Sequence, residues 1–418
     1  MTTSEHDTPA LDVETVEIAD PGSLIGLLND AEPLLWMRRG FGFAGVGTAL
    51  RLEFRGPDRV ADAASAWLRI TASASITDPL ARPGTGLVAL GTFAFSEFSD
   101  AVSVLVVPQI IVGRAAGVAW ITRVTVGTLA PSSIPLTLPP VRPLGPEYRI
   151  SLLPGALSGE GYREAVASAV SKIRGRELNK VVLARDLVGH LPAGSDLRKV
   201  VGDLALSYPD TFTFAIDGFL GSSPETLVGV TGGTVTARVL AGSAARGTDA
   251  VTDADAATTL ATSAKDLDEH RFAVQNVLAS LRSHSNDVMA SDQPFTLKLP
   301  NLWHLASDIE GTLTDGSTAL DLVGALHPTA AVAGTPTDTA LAVIRELEPF
   351  DRGRYAGPVG WVGSNGDGEW AIALRSAQVT ADGDITAYAG AGIVADSVPE
   401  RELMETRLKF RPIVEAFG

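Results

Sequence analysis

The 418-residue chain contains no cysteine. Disulfides, thiolate nucleophiles, iron–sulfur clusters and cysteine-based zinc sites are therefore excluded, and a bound metal ion would need oxygen or histidine ligands. Long apolar runs are missing too, since none reaches the roughly 20 residues that span a bilayer. No basic residue precedes Arg38, so the charged start of a signal peptide is absent, and we expect a cytoplasmic protein without a membrane partner.

Positive charge is also scarce. Asp and Glu number 49 against 33 Lys and Arg, which gives a formal net charge of −16. Nucleic-acid binding depends on clustered basic side chains, so nucleic acid is not an expected partner. Lysine is much rarer than arginine. Because an arginine side chain cannot release its proton, a lysine among apolar residues indicates that the site needs an amine that can. Lys180, followed by Val181, Val182 and Leu183, is such a residue.

The rest of the composition, 45% hydrophobic and 20% charged, is typical of a globular protein. Residues 1–20 are polar and acidic, which predicts a flexible N-terminal arm. A proline-rich run over 131–146 predicts a connector that is neither helix nor central strand. We therefore expect a divergent N-terminal half over 21–145 and a second region over 146–418.

Periodicity in the second region predicts helices and antiparallel strands. The last helix is expected to begin with a Ser-x-x-Glu capping box at Ser397. Long helices with antiparallel strands and no βαβ alternation predict the α+β class. The predicted elements are helices over 160–174, 196–207 and 253–283, a buried strand over 180–188, and an antiparallel meander of three runs over 358–363, 369–379 and 384–394.

Several common catalytic motifs are absent. The six histidines show no HExxH spacing, which disfavours a zinc hydrolase. The chain has no GxxxxGK[ST] phosphate loop and no GxSxG elbow. Neither a nucleotide cofactor nor a serine hydrolase is therefore indicated.

Two predicted helices carry paired carboxylates. Glu402, Glu405 and Lys409 are spaced i, i+3, i+7 and share one helix face, and Asp266 and Glu269 lie three apart on another helix. Together they offer the oxygen ligands that Mg²⁺ prefers. The residues alone leave open that both faces are solvated, salt-bridged surfaces.

Lys180 and Glu225 are candidates for proton transfer. Lys180 begins an apolar strand, and Glu225 follows the turn-forming segment 221–224. A lysine desolvated near other cations can act as a base, and a carboxyl in a closed pocket can act as an acid. An alternative is equally compatible with these residues. In that alternative the stem of Lys180 is packed while its amine lies in water, and Glu225 lies at an exposed turn.

Taken together, the motifs resemble the chorismate-utilising enzymes, and among them the isochorismate synthases. They occur in order over about 155–415, whereas the first 145 residues match loosely. The resemblance implies the anthranilate-synthase-like fold, an α+β arrangement of largely antiparallel sheets with helices packed outside, in which both halves form one compact unit. The motifs are KVVLAR (180–185), SPE (223–225), LAGS (240–243), KDLDEH (265–270), LWHL (302–305), HPT (327–329), ELEPFDR (346–352), GEW (368–370), GAGI (390–393) and ELMETRLK (402–409).

The resemblance implies a chemical role for the two proton-transfer candidates. Lys180 would be the base that activates water for attack at C2 of chorismate, and Glu225 the acid that protonates the departing C4 hydroxyl. Relatives that use ammonia, the anthranilate and aminodeoxychorismate synthases, lack this lysine and work with a glutaminase. Water is therefore the expected nucleophile, and no glutaminase subunit is expected.

The resemblance also implies Mg²⁺ as the cofactor, bound to the ring carboxylate, because a dianion entering an acidic pocket needs its charge offset. Glu269 and Glu405 would hold the metal, and Asp266 and Glu402 would support that shell. The residues implied for binding the rest of chorismate are Gly242, Ser243, His304, Tyr355, Arg375, Gly390, Ala391, Gly392 and Lys409.

Two other activities stay open at this stage. Salicylate synthases share the lysine and go on to eliminate pyruvate, although the HPT and ELEPFDR segments look more like isochorismate synthases. The second alternative is a catalytically silent chorismate-binding protein, against which the complete set Lys180, Glu225, Glu269 and Glu405 argues. The sequence does not separate a menaquinone from a siderophore pathway, and the resemblance implies a monomer.

Overall fold

The computed structural model describes residues 9–127, 136–299 and 302–418. The strands are β1 (Leu11–Ile18), β2 (Leu34–Arg38), β3 (Phe41–Val46), β4 (Leu50–Phe54), β5 (Ser75–Thr77), β6 (Val88–Thr92), β7 (Ser103–Val107), β8 (Ile110–Ala115), β9 (Val118–Val126), β10 (Leu153–Pro154), β11 (Lys180–His190), β12 (Phe212–Ile216), β13 (Phe219–Ser223), β14 (Thr226–Thr231), β15 (Thr234–Ala245), β16 (Met289–Ala290), β17 (Phe295–Lys298), β18 (Leu302–Thr312), β19 (Gly334–Thr335), β20 (Pro358–Gly363), β21 (Gly368–Ile372), β22 (Ser376–Val379) and β23 (Asp384–Ile393). The helices are α1 (Arg59–Ser73), α2 (Gly159–Arg174), α3 (Leu197–Ser207), α4 (Ala250–Thr262), α5 (Ala264–Leu281), α6 (Ala319–Leu326), α7 (Thr337–Leu347) and α8 (Pro399–Phe417), with a short 3₁₀ turn at Ile25–Leu27.

These strands form two sheets. The larger has thirteen strands in the order β10-β11-β23-β22-β13-β12-β2-β3-β8-β9-β1-β5, with β19 beside β11. The smaller has ten in the order β16-β18-β15-β14-β21-β20-β6-β7-β4, with β17 beside β18. Helices pack against both, for example α8 on β23 and α5 on β15. The predicted α+β class with largely antiparallel sheets is confirmed, since the one parallel pairing of the described strands is that of β1 with β5.

Strands from both predicted regions share both sheets. In the large sheet β2 pairs with β12, and in the small one β6 pairs with β20. The stretch over 136–152 that joins the regions has no regular secondary structure. The rest of the predicted proline-rich connector, up to residue 135, lies outside the described residues.

The predicted N-terminal arm is wrong for residues 11–18, which form β1. This strand pairs along its whole length with β9. Leu11, Val13 and Thr15 are buried and alternate with more exposed polar residues, which gives the segment one face that packs in the core. The low content of large apolar residues concealed this strand, because alternation needs few of them. Residues 1–8 of the predicted arm lie outside the described residues.

Several predicted elements are confirmed with shifted bounds. The helix over 160–174 is α2, the strand over 180–188 is β11, and the helix over 196–207 is α3. The single helix predicted over 253–283 is instead two helices, α4 and α5. Ser263 has an extended backbone between them, and its side chain accepts a hydrogen bond from the N–H of Asp266, so it caps α5.

The predicted three-strand meander is divided between the two sheets. β20 and β21 pair in the small sheet, whereas β22 and β23 pair in the large one. The run over 369–379 is therefore two strands, and the chain crosses from one sheet to the other between them. Arg375 lies at this crossing with a φ of 51°, an uncommon backbone conformation for a residue with a side chain. Alternating polarity predicts strands but does not distinguish one long strand from two short ones.

The last helix begins one residue later than predicted. Its N-cap residue is Val398, and no side chain caps it. The Ser397 hydroxyl instead accepts a hydrogen bond from the N–H of Val394, at 3.2 Å. The predicted capping box is therefore wrong. Within the described ranges, none of the helices is both long and apolar enough to cross a membrane.

Candidate active site

One cavity of about 200 Å³ collects nearly all the side chains nominated from the sequence. It lies where β11, β23, α5 and α8 meet β15, β18 and the turn that follows β13. The nominated residues that line it are Lys180, Glu225, Gly242, Ser243, Asp266, Glu269, His304, Tyr355, Arg375, Gly390, Gly392, Glu402, Glu405 and Lys409.

Ala391 is the nominated residue that does not line the cavity. It is fully buried and belongs to the main hydrophobic core. Successive residues of a strand point to opposite faces, so Gly390 and Gly392 face the cavity while Ala391 faces away from it. A Cβ atom at Gly392 would lie 3.0 Å from Cε of Lys180, so glycine leaves room there for the lysine stem.

Lys180 and Glu269 form an ion pair within the cavity. Lys180 is the first residue of β11, and Glu269 lies on α5. The Nζ atom of Lys180 donates to Oε1 of Glu269 at 2.5 Å, and both side chains are largely buried. A candidate base and a candidate metal ligand are thus in direct contact.

Glu225 lies between β13 and β14 and is buried. Its own backbone is fixed on both sides, because its N–H donates to the Ser223 hydroxyl and its carbonyl accepts from the N–H of Ile372. Burial raises the pKa of the Glu225 carboxyl to about 7, although the positive charges of Arg375, Lys180 and Lys409 act in the opposite direction. A carboxyl with this pKa still carries a proton near neutral pH and can donate it.

Helix α8 brings two carboxylates and an ammonium to the cavity. Nζ of Lys409 lies 2.6 Å from Oε1 of Glu405 and also donates to the carbonyl of Gly390 at 2.9 Å. Burial raises the pKa of Glu402, with a smaller contribution of the same sign from Glu405 and an opposing one from the Ser397 hydroxyl. The helix face predicted from the i, i+3, i+7 spacing thus turns inward, and the solvated alternative is excluded for it.

Arg375 and Tyr355 offer hydrogen-bond donors to an anion. Both are buried, and burial lowers the pKa of the Arg375 guanidinium and raises that of the Tyr355 hydroxyl to about 12. Among the described residues no carboxylate lies within ion-pair distance of Arg375. Tyr355 stacks on Tyr388 with ring centroids 5.3 Å apart, which fixes the ring. A buried guanidinium without an ionic partner is a natural receptor for a substrate carboxylate.

Ser243 and His304 meet at the paired ends of β15 and β18. The Oγ atom of Ser243 lies 2.8 Å from Nδ1 of His304. Burial is the main cause that lowers the pKa of the His304 imidazole to about 3, so the ring is neutral. Its second nitrogen, Nε2, is buried and has no hydrogen-bond partner within the described ranges.

Three polar or charged cavity residues were not nominated individually from the sequence. They are Lys265, Ser397 and Arg352, the last of which forms an ion pair with Glu348. Lys265 directly precedes Asp266, and Arg352 ends the ELEPFDR motif. Both could therefore have been identified from the sequence as site residues. Ser397 was assigned to a helix cap, and only its position in the fold places it near Glu402.

The donor set of the cavity fits a hard cation such as Mg²⁺. Asp266, Glu269, Glu402 and Glu405 supply carboxylate oxygens alone, and the like charge of Glu405 contributes to the raised pKa of Glu402. A divalent cation would relieve that repulsion. In the part of the chain that the structure describes, three such side chains do not already converge on one point. Lysines hold two of the carboxylates instead.

Comparisons with known proteins show which family this chain resembles. The family described as chorismate binding enzyme matches residues 149–418. Isochorismate synthase DhbC of Bacillus subtilis is 41% identical over 286 residues, which cover 66% of this chain and 71% of that protein. The crystal structure of DhbC from Bacillus anthracis has a TM-score of 0.77 at 29% identity and covers 94% of this chain and 98% of its own.

The fold is shared more widely than the sequence. The structure of anthranilate synthase component I from Streptococcus pneumoniae has a TM-score of 0.71 at 21% identity and covers 90% of this chain and 92% of its own. The predicted anthranilate-synthase-like fold is therefore confirmed. The family model matches the region that contains every cavity residue. The chain therefore belongs to the chorismate-binding enzyme family.

Proposed function

We propose that this chain is an isochorismate synthase, which converts chorismate to isochorismate with Mg²⁺ as cofactor. The observation that carries the proposal is the presence of Lys180 and Glu225 on one buried cavity, near enough for the lysine's charge to act on the carboxyl. One is an amine and the other a carboxyl that keeps its proton near neutral pH. An addition of water and a loss of hydroxide need this combination of base and acid.

In the proposed reaction, Lys180 acts from its neutral form, after its ammonium has released a proton. Water attacks C2 of chorismate, and the amine accepts the proton of that water. The two ring double bonds shift, and the C4–oxygen bond breaks. Glu225 donates its proton to the departing hydroxyl, which leaves as water. One water enters and one leaves, so the atoms balance and no redox cofactor takes part.

The cations of the cavity bind the substrate's second carboxylate, that of the enolpyruvyl group. Arg375 supplies a planar set of N–H donors without an ionic partner among the described residues, and Tyr355 supplies a hydroxyl. Lys409 and the backbone of Gly390 and Gly392 complete this subsite. Because Arg375 and Tyr355 are buried, these hydrogen bonds are stronger than they would be at the surface.

Glu269 and Glu405 would hold Mg²⁺, with Asp266 and Glu402 supporting them. When bound, the metal would offset the negative charge of the substrate's ring carboxylate in a cavity that is itself rich in carboxylates. The proposal also includes water rather than ammonia as nucleophile, hence no glutaminase subunit, and a monomeric enzyme of the cytoplasm. Its product would supply either menaquinone or siderophore synthesis.

Product analysis tests the proposal. The purified chain is incubated with chorismate and either Mg²⁺ or EDTA, and isochorismate, salicylate, anthranilate and pyruvate are separated by chromatography. Isochorismate without pyruvate, abolished by EDTA, is the expected result. Salicylate with equimolar pyruvate would assign the chain to salicylate synthesis, and binding of chorismate without any product would identify a silent binding protein.

A further inference from the structure

A β-bulge brings Ser243 opposite His304. Strands β15 and β18 pair in an unbroken register up to Leu240 opposite Ala306, and the next pair is Ser243 opposite His304. One extra residue is therefore inserted in β15, and Gly242 there has a φ of 83°, a conformation that suits glycine. Without the insertion, Gly242 would face His304. The bulge thus places Ser243, which carries a hydroxyl, opposite His304 instead of Gly242, which has no side chain.

The imidazole of His304 is neutral, so one ring nitrogen carries a proton and the other does not. Nδ1 is in contact with the Ser243 hydroxyl, whereas Nε2 is buried and lacks a partner among the described residues, in a residue that lines the cavity. Two arrangements are possible: the serine donates to Nδ1, or Nδ1–H donates to the Ser243 oxygen. The backbone carbonyl of Gly242 also interacts with the ring and is a competing acceptor for a ring N–H.

The charge of the cavity distinguishes these arrangements. Arg375 and Lys409 prepare the cavity for negatively charged oxygens, and their charges also act on the His304 ring. A bare lone pair on Nε2 would repel such oxygens, whereas an Nε2–H group would donate to one of them. An unpaired buried nitrogen is costly, and a ligand oxygen would remove that cost.

We propose that Ser243 is a positioning residue that donates its hydroxyl proton to Nδ1 of His304 and thereby keeps the ring proton on Nε2, from which His304 donates a hydrogen bond to an oxygen of the bound substrate. The identity of that substrate rests on the proposed function. The tautomer of His304 in the free protein does not depend on the proposed function.

Two other histidines provide internal references. Nδ1 of His270 contacts the carbonyl of Ala241 and its Nε2 contacts the Ser307 hydroxyl, so a backbone acceptor fixes the Nδ1–H tautomer. Nε2 of His327 contacts the carbonyl of Phe95, which fixes the Nε2–H tautomer. Ser307→Ala is a matched control, because it removes the hydroxyl of the neighbouring serine–histidine pair while the carbonyl still determines the tautomer.

The first test is ¹⁵N NMR of the full chain labelled at its histidines, without substrate. His304→Gln identifies the signals of residue 304. The expected result is Nε2–H for His304 in the unaltered chain and in Ser243→Thr, and a shift to Nδ1–H in Ser243→Ala, where the Gly242 carbonyl becomes the acceptor. Ser307→Ala should leave His270 unchanged. An Nδ1–H tautomer in the unaltered chain, or an unchanged tautomer in Ser243→Ala, overturns the proposal.

The second test is steady-state kinetics with chorismate. Ser243→Ala should lower kcat/KM by roughly tenfold or more, mainly through KM, as expected when a hydrogen bond to a charged oxygen is lost. Ser243→Thr should restore most of it. Equal kcat/KM for the alanine variant and the unaltered chain overturns the substrate contact. If the unaltered chain makes no isochorismate, the proposed function fails, and the NMR result still decides the tautomer.

Discussion

The Nζ atom of Lys180 lies 2.5 Å from Oε1 of Glu269, 89 residues further along the chain. The contact joins the start of β11 to α5, and so joins the proposed base to a proposed ligand of Mg²⁺. Because the same carboxylate is proposed for both, the ammonium of Lys180 would compete with a bound metal ion for Glu269. The proposed base and the proposed metal ligand are therefore in direct contact.

Lys180→Ala is expected to lower turnover of chorismate by roughly 10²- to 10⁴-fold, the usual contribution of a general base. Binding of Mg²⁺, measured by calorimetry, should be retained and become tighter, because the competing ammonium is removed from Glu269. Lys172→Ala serves as control, since Lys172 forms its ion pairs with Glu177 and Glu346 on the surface. Normal turnover in Lys180→Ala would remove the base assignment.

Glu405→Gln is expected to shift the Mg²⁺ activation curve to higher concentration by at least tenfold and to lower the maximum rate. The amide keeps the shape of the side chain but loses the charge that a hard cation needs. Glu400→Gln is the matched control on the same helix, because Glu400 is exposed and does not line the cavity. An unchanged Mg²⁺ titration for Glu405→Gln would contradict the ligand assignment.

The dependence of kcat/KM on pH should show a descending limb with a midpoint near 7, measured at saturating Mg²⁺. The proposed acid must be protonated to donate, and burial raises the pKa of Glu225 to about 7. With Lys180 in its neutral form, the protonated form of Glu225 is available below that pH and is lost above it, so the rate falls about tenfold for each further pH unit. Glu225→Gln should be inactive at every pH. A rate that is constant from pH 6 to 9 would exclude Glu225 as the acid.

Glu348→Gln is expected to lower the free energy of unfolding by about 3–5 kcal/mol. Glu348 and Arg352 are both buried, and Nη2 of Arg352 lies 2.6 Å from Oε1 of Glu348. Loss of the carboxylate charge leaves the guanidinium uncompensated, although it still donates to the carbonyls of Val182 and Val332. Urea unfolding measures the change as a lower midpoint at an unchanged slope.

The double variant Glu348→Leu with Arg352→Leu provides the control for that experiment. Removing both charges together avoids an unpaired buried ion, so the double variant should be more stable than Glu348→Gln. It should nevertheless lose activity. Glu348 also accepts a hydrogen bond from the N–H of Ala184, so the pair holds β11 and with it Lys180 in position. A double variant less stable than the single one would contradict this account.

Local spacing determined much of the site. Glu402, Glu405 and Lys409 share a face because a helix repeats every 3.6 residues, and the same geometry holds for Asp266 and Glu269. Helix geometry follows from the backbone alone, so those groupings were readable in the sequence. Whether each face pointed to solvent or to a cavity was not, because that depends on what packs against the helix.

Contacts across the sheets were not readable in the same way. The hydrogen bond between Ser243 and His304 requires a bulge of one residue in β15. No local sequence pattern predicts this bulge. Arg375 reaches the cavity because the chain changes sheets there. The alternation of polarity predicts that this position is the middle of one strand. The strand at residues 11–18 was hidden for a similar reason, since its stability comes from pairing with β9.

The sequence by itself determined the chemical groups, their spacing along each helix and the class of fold, because these follow from residue type and backbone periodicity. Only the tertiary structure decided which groups meet, which are buried and which are charged. The pKa of Glu225, the partner of Lys180 and the unpartnered nitrogen of His304 all arise from the packing of segments that are distant in the sequence. Burial and register are properties of the assembled chain, and they turn a set of common side chains into a site.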